Sequence, residues 1–318
     1  MMLLAVDLGG THANCALVRD RSILRSRSIS CRGSDGMATL LPSLSTVLRA
    51  LAEEEGFQLS DLDGIAVGFC GLVDRREGRV TATSGKYEDA PQIDLPAWGR
   101  REFGLPLVVE NDARMALLGE HFAGAAAGFD DVVMVTLGTG IGGAAMMGGR
   151  LLTGKHFQAG CLGGHIPAIL DGATCSCGAI GCAESEAAGW CLPRVCRDWP
   201  GFAASRLARE AISFKTLFRC ADAGDAVAQQ VLGRCLRIWG ANAVALIHAY
   251  DPELLVYGGG VMHSGDRIVQ FVQDYVARHA WTPWGTVQVR AAKLGGNAAL
   301  LGAIPLMAEL GQGASDVR

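Results

Sequence analysis

Apolar and polar positions along the chain alternate between short strand-like runs and longer stretches with helical spacing. Strand-like patterns occur at 3–6, 13–18, 23–31, 64–69, 107–110 and 254–257. Apolar residues at helical spacing predict helices at 37–55, 113–124, 226–249 and 298–310. Strands that alternate with helices are typical of layered folds, so the pattern predicts an α/β protein.

Both halves of the chain share one theme, an apolar strand followed by a glycine-rich turn. The longest uncharged run, 132–149, approaches the length of a membrane span, but it contains six glycines and two threonines and a turn at its centre. We interpret it as two buried strands around a glycine loop. The repeated theme predicts two related lobes with a cleft between them.

Composition excludes several classes of protein. The 318 residues are 50% hydrophobic, which is enough for a large core, and the net charge of −4 comes without any run of Lys or Arg. A nucleic-acid binder should show a basic stripe, so no nucleic-acid partner is expected. The N-terminus lacks the basic start and long apolar stretch of a signal peptide, so we expect a soluble, cytoplasmic protein that does not enter a membrane.

The chain has eleven cysteines, an odd number that argues against a complete disulfide framework. In a reducing cytosol they should be free thiols or metal ligands. Five of them are scattered along the chain and are predicted to be small buried residues: Cys15, Cys31, Cys70, Cys220 and Cys235.

Three further cysteines lie within the stretch TCSCGAIGCAE, at Cys175, Cys177 and Cys182, and His165 precedes the first by ten residues. One imidazole and three thiolates form a closed tetrahedral set, which favours a structural Zn²⁺. Unrelated free thiols remain an alternative. A redox pair is less favoured, because the spacing is CxC and not CxxC.

Three predicted strands end in glycine-rich turns, where backbone N–H groups can approach a phosphate without a Cβ in the way. Neither a P-loop nor a dinucleotide spacing fits them, and any single turn of this kind can also be a tight hairpin. The candidate phosphate-binding residues are Asp7, Gly9, Gly10 and Thr11, then Gly138, Thr139 and Gly140, and then Gly258, Gly259 and Gly260. Asp7 in addition can orient a hydrated Mg²⁺.

The stretch VENDARMALLGE places Asn111 and Asp112 where a strand meets a helix N-terminus. Asp112 can accept the proton of a hydroxyl that attacks a γ-phosphate, and Asn111 can hold a second hydroxyl. Asp is also a common helix cap, so the residues alone leave both roles open for Asp112.

The segment DLGGTHANCALVRD resembles the opening of the ROK family of repressors and sugar kinases. VGFCGLVD, VENDARMALLGE, VTLGTGIGGA, CSCGAIGCAE and LLVYGGGV follow in that family's order along nearly the whole chain. The resemblance implies a two-lobed actin-like ATPase (ribonuclease H-like) fold with a central nucleotide and sugar cleft. We expect a smaller N-terminal α/β lobe at 1–120, completed by a C-terminal helix at 298–318, and a larger α/β lobe with the zinc-binding loop at 121–297.

The resemblance also assigns roles. Asp112 matches the family's catalytic base, Asn111 a sugar contact, and Gly71 a position beside the sugar. By the same resemblance the zinc is structural and holds the sugar pocket, His165 both ligates zinc and touches the sugar, and Glu184 binds the sugar. The implied cofactors are structural Zn²⁺ and Mg²⁺ with ATP.

The chain departs from the family pattern at two places. The family has Glu-x-Gly-His before the zinc-ligating histidine, but here Leu162 stands in the place of the glutamate. One sugar hydroxyl therefore loses a strong acceptor. The stretch 83–95 also lacks the asparagine-rich loop of a glucose kinase, and Ser84, Lys86 or Tyr87 are alternative substrate contacts.

The resulting expectation is an ATP-dependent hexose kinase that phosphorylates O6, with ATP and a sugar as its small-molecule partners. An N-acetylhexosamine kinase for GlcNAc or ManNAc and a catalytically weak sugar sensor are the alternatives. A sugar-responsive repressor is disfavoured, because Asp7 lies too early for a DNA-binding helix-turn-helix before it. A homodimer is expected from the resemblance alone. The sugar, the phosphoryl donor and the level of activity are left open.

Overall fold

The structure, a computed structural model, describes residues 1–313. In chain order the strands are β1 (Met2–Leu8), β2 (His12–Arg19), β3 (Ser22–Ser30), β4 (Gly64–Phe69), β5 (Leu72–Asp74), β6 (Arg79–Ala82), β7 (Leu107–Asn111), β8 (Val132–Leu137), β9 (Ile141–Met147), β10 (Arg150–Leu151), β11 (Leu254–Gly258) and β12 (Gln288–Ala291). The helices are α1 (Met37–Glu54), α2 (Leu95–Phe103), α3 (Asp112–Ala123), α4 (Ala183–Ala187), α5 (Leu192–Arg197), α6 (Phe214–Asp222), α7 (Ala226–Tyr250), α8 (Gly265–His279) and α9 (Ala298–Gly313).

These elements confirm the predicted α/β pattern, and the helices predicted at 37–55 and 226–249 match α1 and α7 to within one residue. The predicted closing helix is α9, and 314–318 of its predicted extent lie outside the described residues. The sequence prediction ended the first strand at Asp7. In the structure β1 continues to Leu8, since Asp7 still pairs with Asn14 of β2 and Gly68 of β4.

The chain divides into two compact units. The first unit contains Met1–Gly128, Thr153–Cys161 and the C-terminal segment from Gly296, and the second contains Phe129–Leu152 and Leu162–Gly295. The predicted lobe boundaries had placed 153–161 in the second lobe. Those residues pack within the first unit, where the carbonyl of Ala159 accepts a 2.6 Å hydrogen bond from Nη2 of Arg114.

Each unit is built on a five-stranded sheet, and the two sheets have the same connectivity. The first has the order β3-β2-β1-β4-β7 and the second the order β10-β9-β8-β11-β12. In chain order, the first three strands of each sheet pair antiparallel, and the last two run parallel to the first strand, which is β1 in one sheet and β8 in the other. The glycine turns Gly9–Thr11 and Gly138–Gly140 therefore occupy equivalent places, between the first and second strands of their sheets.

Both faces of the first sheet are covered, as expected for central strands with continuous apolar sequence. On β1, Leu4 and Val6 belong to the same buried cluster as Leu44 and Leu48 of α1. On the other side α9 packs against β1 and crosses α3 closely. A Cβ on Gly119 would lie 1.9 Å from the carbonyl oxygen of Ala298, so only glycine permits this crossing. The crossing fixes α3, whose N-terminus carries the base candidate.

Candidate active site and zinc centre

The predicted site residues of the first unit converge at one edge of its sheet. Strands β1, β4 and β7 run parallel, so their carboxyl ends lie at the same edge. Gly9–Thr11 follow β1, Gly71 follows β4, and Asn111 and Asp112 stand at the junction of β7 with α3. The topology therefore gathers residues that are about a hundred positions apart in sequence.

Asn111, not Asp112, caps helix α3. Its side-chain oxygen accepts a 3.1 Å hydrogen bond from the backbone amide of Arg114. Its side-chain amide donates to the Gly71 carbonyl and to Oδ1 of Asp112, both at 3.1 Å. The alternative role of Asp112 as the helix cap is therefore excluded, and Asn111 ties β4, β7 and the Asp112 carboxylate together.

Asp7 and Asp112, two acidic residues at this sheet edge, have raised pKa values. Asp112 lies deep in the unit but keeps part of its surface open to solvent, and burial together with the nearby Asp7 carboxylate raises its pKa to about 7. Burial raises the pKa of Asp7 to about 6, against a hydrogen bond to the Asn14 side chain that lowers it. A carboxylate with a pKa near 7 is suited to general-base catalysis at neutral pH, because it is both available and basic.

A buried ionic cluster lies directly behind these residues, and sequence reasoning missed it. Glu110 is fully buried, and its Oε1 accepts a 2.8 Å hydrogen bond from the Asn111 amide and lies 3.4 Å from Nη1 of Arg114. Its Oε2 lies 3.5 Å from Nε of Arg75. Burial raises the pKa of Glu110, and the two arginines oppose that rise. The i to i+4 spacing of Glu110 and Arg114 was the available signal in the sequence.

The first glycine turn leaves two backbone amides available as hydrogen-bond donors. Its carbonyl oxygens are occupied, since those of Gly10 and Thr11 accept from the amides of Gly33 and Cys31. Among residues 1–313, the amides of Gly10 and Thr11 have no hydrogen-bond partner. The Thr11 side chain is exposed. Consecutive amides without a partner are the donors that an anion such as phosphate can bind.

The second glycine turn has the same property in the second unit. Across the described chain, the amides of Thr139 and Gly140 lack a hydrogen-bond partner. The next amide, that of Ile141, donates to Oε2 of Glu184 at 2.8 Å, and Oε1 of Glu184 accepts from the Ser176 hydroxyl at 3.4 Å. Glu184, predicted as a sugar ligand, thus links the cysteine-rich loop to the second glycine turn.

The third turn is adjacent to the second. A Cβ on Gly259, which has a φ of +90°, would lie 2.3 Å from the carbonyl oxygen of Leu137 at the end of β8. Gly138, Thr139 and Gly260 line one cavity of about 720 Å³. Its other lining residues, which the sequence analysis did not identify, are Gly189, Trp190, Ile212, Ser213, Phe214, Lys215, Val261 and His263.

The cavity has the size and lining of a small-molecule site, with aromatic walls and glycine turns at one side. Trp190 is 44% exposed although it is a large apolar side chain, and its amide donates to the Thr139 carbonyl at 2.9 Å. Nothing in the spacing of Trp190 or Phe214 distinguishes them from core aromatics, which is why sequence reasoning passed over them.

The four predicted metal ligands form one cluster in the second unit. The candidate ligand atoms of His165, Cys175, Cys177 and Cys182 all lie within 4.8 Å of one another. Tetrahedral zinc with ordinary bond lengths separates two sulfurs by ~3.8 Å and a sulfur from a nitrogen by ~3.6 Å. The sulfurs of Cys177 and Cys182 are 3.7 Å apart, and Cys175 lies 3.4 Å from Nδ1 of His165. The residues present therefore fit a structural zinc ion.

Two sets of residues at which the sequence departs from the family pattern can also be placed in the structure. Leu162 is 37% exposed and lies immediately before the short turn Gly163–His165. Of the alternative contacts, Ser84 is exposed, Tyr87 is buried and Lys86 lies against the first glycine turn.

The prediction that the scattered cysteines are buried is correct for Cys15, Cys220 and Cys235 and wrong for Cys31 and Cys70, which are half-buried. Cys70 stands between β4 and Gly71, at the sheet edge that holds Asp112, and a turn there leaves part of the thiol uncovered.

None of the helices among the described residues is long and apolar enough to cross a membrane.

Known proteins resemble this chain along its whole length. A model of the ROK family matches residues 3–309. A glucokinase from Halalkalibacterium halodurans is 31% identical over 309 residues, which cover 93% of this chain and 92% of the relative. An N-acetylmannosamine kinase from Yersinia pseudotuberculosis is 29% identical over 262 residues, covering 81% of this chain and 82% of the relative.

Solved structures give the same likeness in three dimensions. A ROK family glucokinase from Streptomyces griseus, in complex with glucose and AMPPNP, superposes with a TM-score of 0.82 at 31% identity. The match covers 97% of this chain and 100% of that chain. With the repeated strand order of the two units, these likenesses confirm the predicted two-lobed actin-like ATPase fold.

Proposed function

The chain belongs to the ROK family, and from that premise we propose that it is an ATP-dependent hexose kinase in which Asp112 is the general base. The observation that carries the proposal is the state of Asp112 itself. It lies at the sheet edge that also carries the unpartnered amides of Gly10 and Thr11, it is not the cap of α3, and its pKa is raised to about 7. Relatives named glucokinase and N-acetylmannosamine kinase support sugar phosphorylation as the reaction class.

The chemical step is an in-line phosphoryl transfer. Asp112 accepts the proton of the sugar hydroxyl, and the hydroxyl oxygen forms a bond to the γ-phosphorus of ATP. The bond from that phosphorus to the β–γ bridging oxygen breaks, and ADP leaves. We assign the acceptor hydroxyl as O6, the primary hydroxyl of a hexose. Asn111 holds the carboxylate in place through its 3.1 Å hydrogen bond.

The nucleotide has a fitting site in the second unit. The cavity beside Gly138, Thr139 and Gly260 has room for a nucleoside, and Trp190 provides an exposed aromatic surface against which a base can stack. The amides of the glycine turns are donors for the phosphate oxygens. Asp7 would orient a hydrated Mg²⁺ that accompanies the nucleotide, and the ion would supply positive charge for the phosphate oxygens.

The sugar site includes the zinc-binding loop. His165, Cys175, Cys177 and Cys182 would hold a structural zinc ion that would fix the loop and take no part in the chemistry. We assign His165 and Glu184 of this loop as sugar contacts. Because Glu184 also accepts from the Ile141 amide, its carboxylate connects the sugar-binding loop to a phosphate turn. A change at Glu184 should therefore alter the KM of both substrates.

An N-acetylhexosamine kinase is the second candidate, favoured by one observation. Leu162 replaces a carboxylate that the family offers to a sugar hydroxyl, and its apolar side chain is suited to contact a methyl group. A sugar sensor without activity is disfavoured, since Asp112 and the phosphate turns are intact.

The test is ADP release by the purified, zinc-loaded protein with Mg-ATP and glucose, mannose, fructose, allose, N-acetylglucosamine or N-acetylmannosamine. NMR of the product should show phosphorus coupled to C6. Turnover confined to the N-acetylated sugars would support the second candidate. Absence of turnover with every sugar would contradict both kinase assignments.

A further inference from the structure

Lys86 lies directly over the first glycine turn. A Cβ placed on Gly10 would lie 2.7 Å from Cε of Lys86 and 3.1 Å from its Nζ. Because Gly10 has no side chain, the ammonium approaches the same turn whose amides at Gly10 and Thr11 are unpartnered. The turn and the ammonium thus offer three hydrogen-bond donor groups at one place.

The backbone around Lys86 is held in this position. Tyr87 has a φ of +53°, a conformation that non-glycine residues seldom adopt, and its amide donates to the Gly33 carbonyl at 2.7 Å. Its hydroxyl donates to the Gly9 carbonyl at 2.8 Å. Asp89 accepts from the amides of Met37 and Ala38 at the start of α1. The loop is therefore attached both to the first glycine turn and to a core helix, which fixes the backbone from which the Lys86 side chain extends.

The ammonium has no counter-ion of its own. In the part of the chain that the structure describes, Lys86 makes no hydrogen bond and no ion pair. The charged and titratable groups that share this sheet edge are Asp7, Cys70 and Asp112, and the Lys86 charge lowers the pKa of Asp112 and of the Cys70 thiol against the effect of burial. A cation that makes no hydrogen bond or ion pair and lies beside free amides is suited to bind an anion.

We propose that Lys86 is a further catalytic residue, whose ammonium binds a non-bridging oxygen of the phosphoryl group during its transfer to the sugar. This inference rests on the proposed kinase function. As the bond from phosphorus to the bridging oxygen breaks and the bond to the sugar oxygen forms, charge is spread over the non-bridging oxygens. A fixed ammonium stabilises that charge more than it stabilises bound ATP, so its effect falls on kcat.

The test compares Lys86→Met, Lys86→Arg and Lys86→Ala with Lys155→Met, an exposed lysine of the same unit. We expect Lys86→Met to lower kcat by ~10²–10³-fold while the KM for the sugar changes less than threefold, and Lys155→Met to leave both unchanged. Lys86→Arg should retain an intermediate kcat. Ethylammonium should restore part of the lost rate to Lys86→Ala and none to Lys86→Met, because only alanine leaves room for it.

A second measurement does not depend on turnover. Reductive methylation of Lys86 in the wild-type protein, followed by mass spectrometry, should slow at least fivefold in the presence of Mg-AMPPNP, while methylation of Lys155 should not change. A kcat for Lys86→Met within threefold of wild type, or a loss confined to the KM for the sugar, would overturn the role of Lys86 and leave the kinase assignment intact. Wild-type protein without kinase activity would instead refute the proposed function. If, in addition, Mg-AMPPNP did not slow the methylation of Lys86, the proposed phosphate contact of Lys86 would be refuted as well.

Discussion

The side-chain amide of Asn111 donates to Oδ1 of Asp112 across 3.1 Å, while the side-chain oxygen of Asn111 caps helix α3. One residue therefore performs the two tasks of starting the helix and orienting the adjacent carboxylate. Asp112 is left free to exchange a proton, at a place where burial and the Asp7 carboxylate keep its pKa high.

Replacing Asn111 with alanine should damage both stability and catalysis. Loss of the cap should lower the free energy of unfolding by about 1 kcal/mol, and loss of the hydrogen bond to Asp112 should lower kcat at least tenfold. The matched control is Asp94→Ala, which removes the cap of α2 in the same unit, where Oδ1 of Asp94 accepts from the Ala97 amide at 2.8 Å. Denaturation curves should show similar losses for both variants, with a fall in kcat for Asn111→Ala only. Equal kcat values would remove Asn111 from the catalytic apparatus.

The sequence predicted the elements with strong periodicity and left out those that tertiary packing decides. Helices α1 and α7 have clear helical spacing and were placed to within one residue. Helix α4 has five residues and strand β10 has two, too short for any period to be visible, and they form because the folded chain brings their partners together. The strand followed by a glycine-rich turn could be predicted in both halves of the chain, because glycine is a strong sequence signal for a turn.

The residues of the candidate site also divide into those that local motifs predict and those that only tertiary packing brings together. Asp112, Asn111 and the four candidate zinc ligands could be proposed from the sequence because they stand in recognisable motifs. Trp190 was not, since the cavity that it lines is built from segments distant in sequence. The ion pair of Glu110 with Arg114 was missed although its i to i+4 spacing is visible, because only tertiary packing buries it. The sequence left open whether Asp112 caps helix α3. The hydrogen-bond geometry shows that Asn111 is the cap.

Activity should fall in acid with a midpoint near pH 7. The base must be ionised to accept a proton, and the pKa of Asp112 is raised to about 7, so kcat/KM should drop tenfold per pH unit below that value. Asp7, with a pKa raised to about 6, should steepen the fall below pH 6. Initial rates between pH 5 and 9, with the coupling enzymes shown not to limit the rate, measure this profile. A flat profile down to pH 5 would mean that the essential base is a group with an ordinary carboxylate pKa.

Loss of one thiolate should remove the zinc without disturbing the core. Cys177 is exposed, so Cys177→Ala removes no core packing and its effect reports on the metal. We expect metal analysis to show about one zinc per wild-type chain, a loss of at least tenfold in zinc affinity for the variant, and a higher KM for the sugar. Cys220→Ala, a change at a buried cysteine outside the cluster, should keep its zinc. Full zinc content in Cys177→Ala would show that Cys177 is not a ligand.

A carboxylate at position 162 should shift sugar selectivity. Leu162 is 37% exposed, so a glutamate there is tolerated by the fold. Leu162→Glu should raise kcat/KM for unsubstituted hexoses by about ten- to a hundredfold, because a charged acceptor for a sugar hydroxyl contributes about 1.5–3 kcal/mol. Leu162→Gln has the same length without the charge and should show a smaller gain. Unchanged ratios among the sugars in both variants would place residue 162 outside the sugar site.

The central claim is that Asp112 is the base of a sugar kinase, and sugar-dependent ADP release by Asp112→Asn beside wild type tests it most directly. Asparagine keeps the shape and the hydrogen bond of the carboxylate but cannot accept the proton, so kcat should fall by about 10²–10⁴-fold with little change in the KM for ATP. Glu53→Gln, a change on the exposed face of α1, should retain full activity. A kcat for Asp112→Asn within a few-fold of wild type would contradict the account.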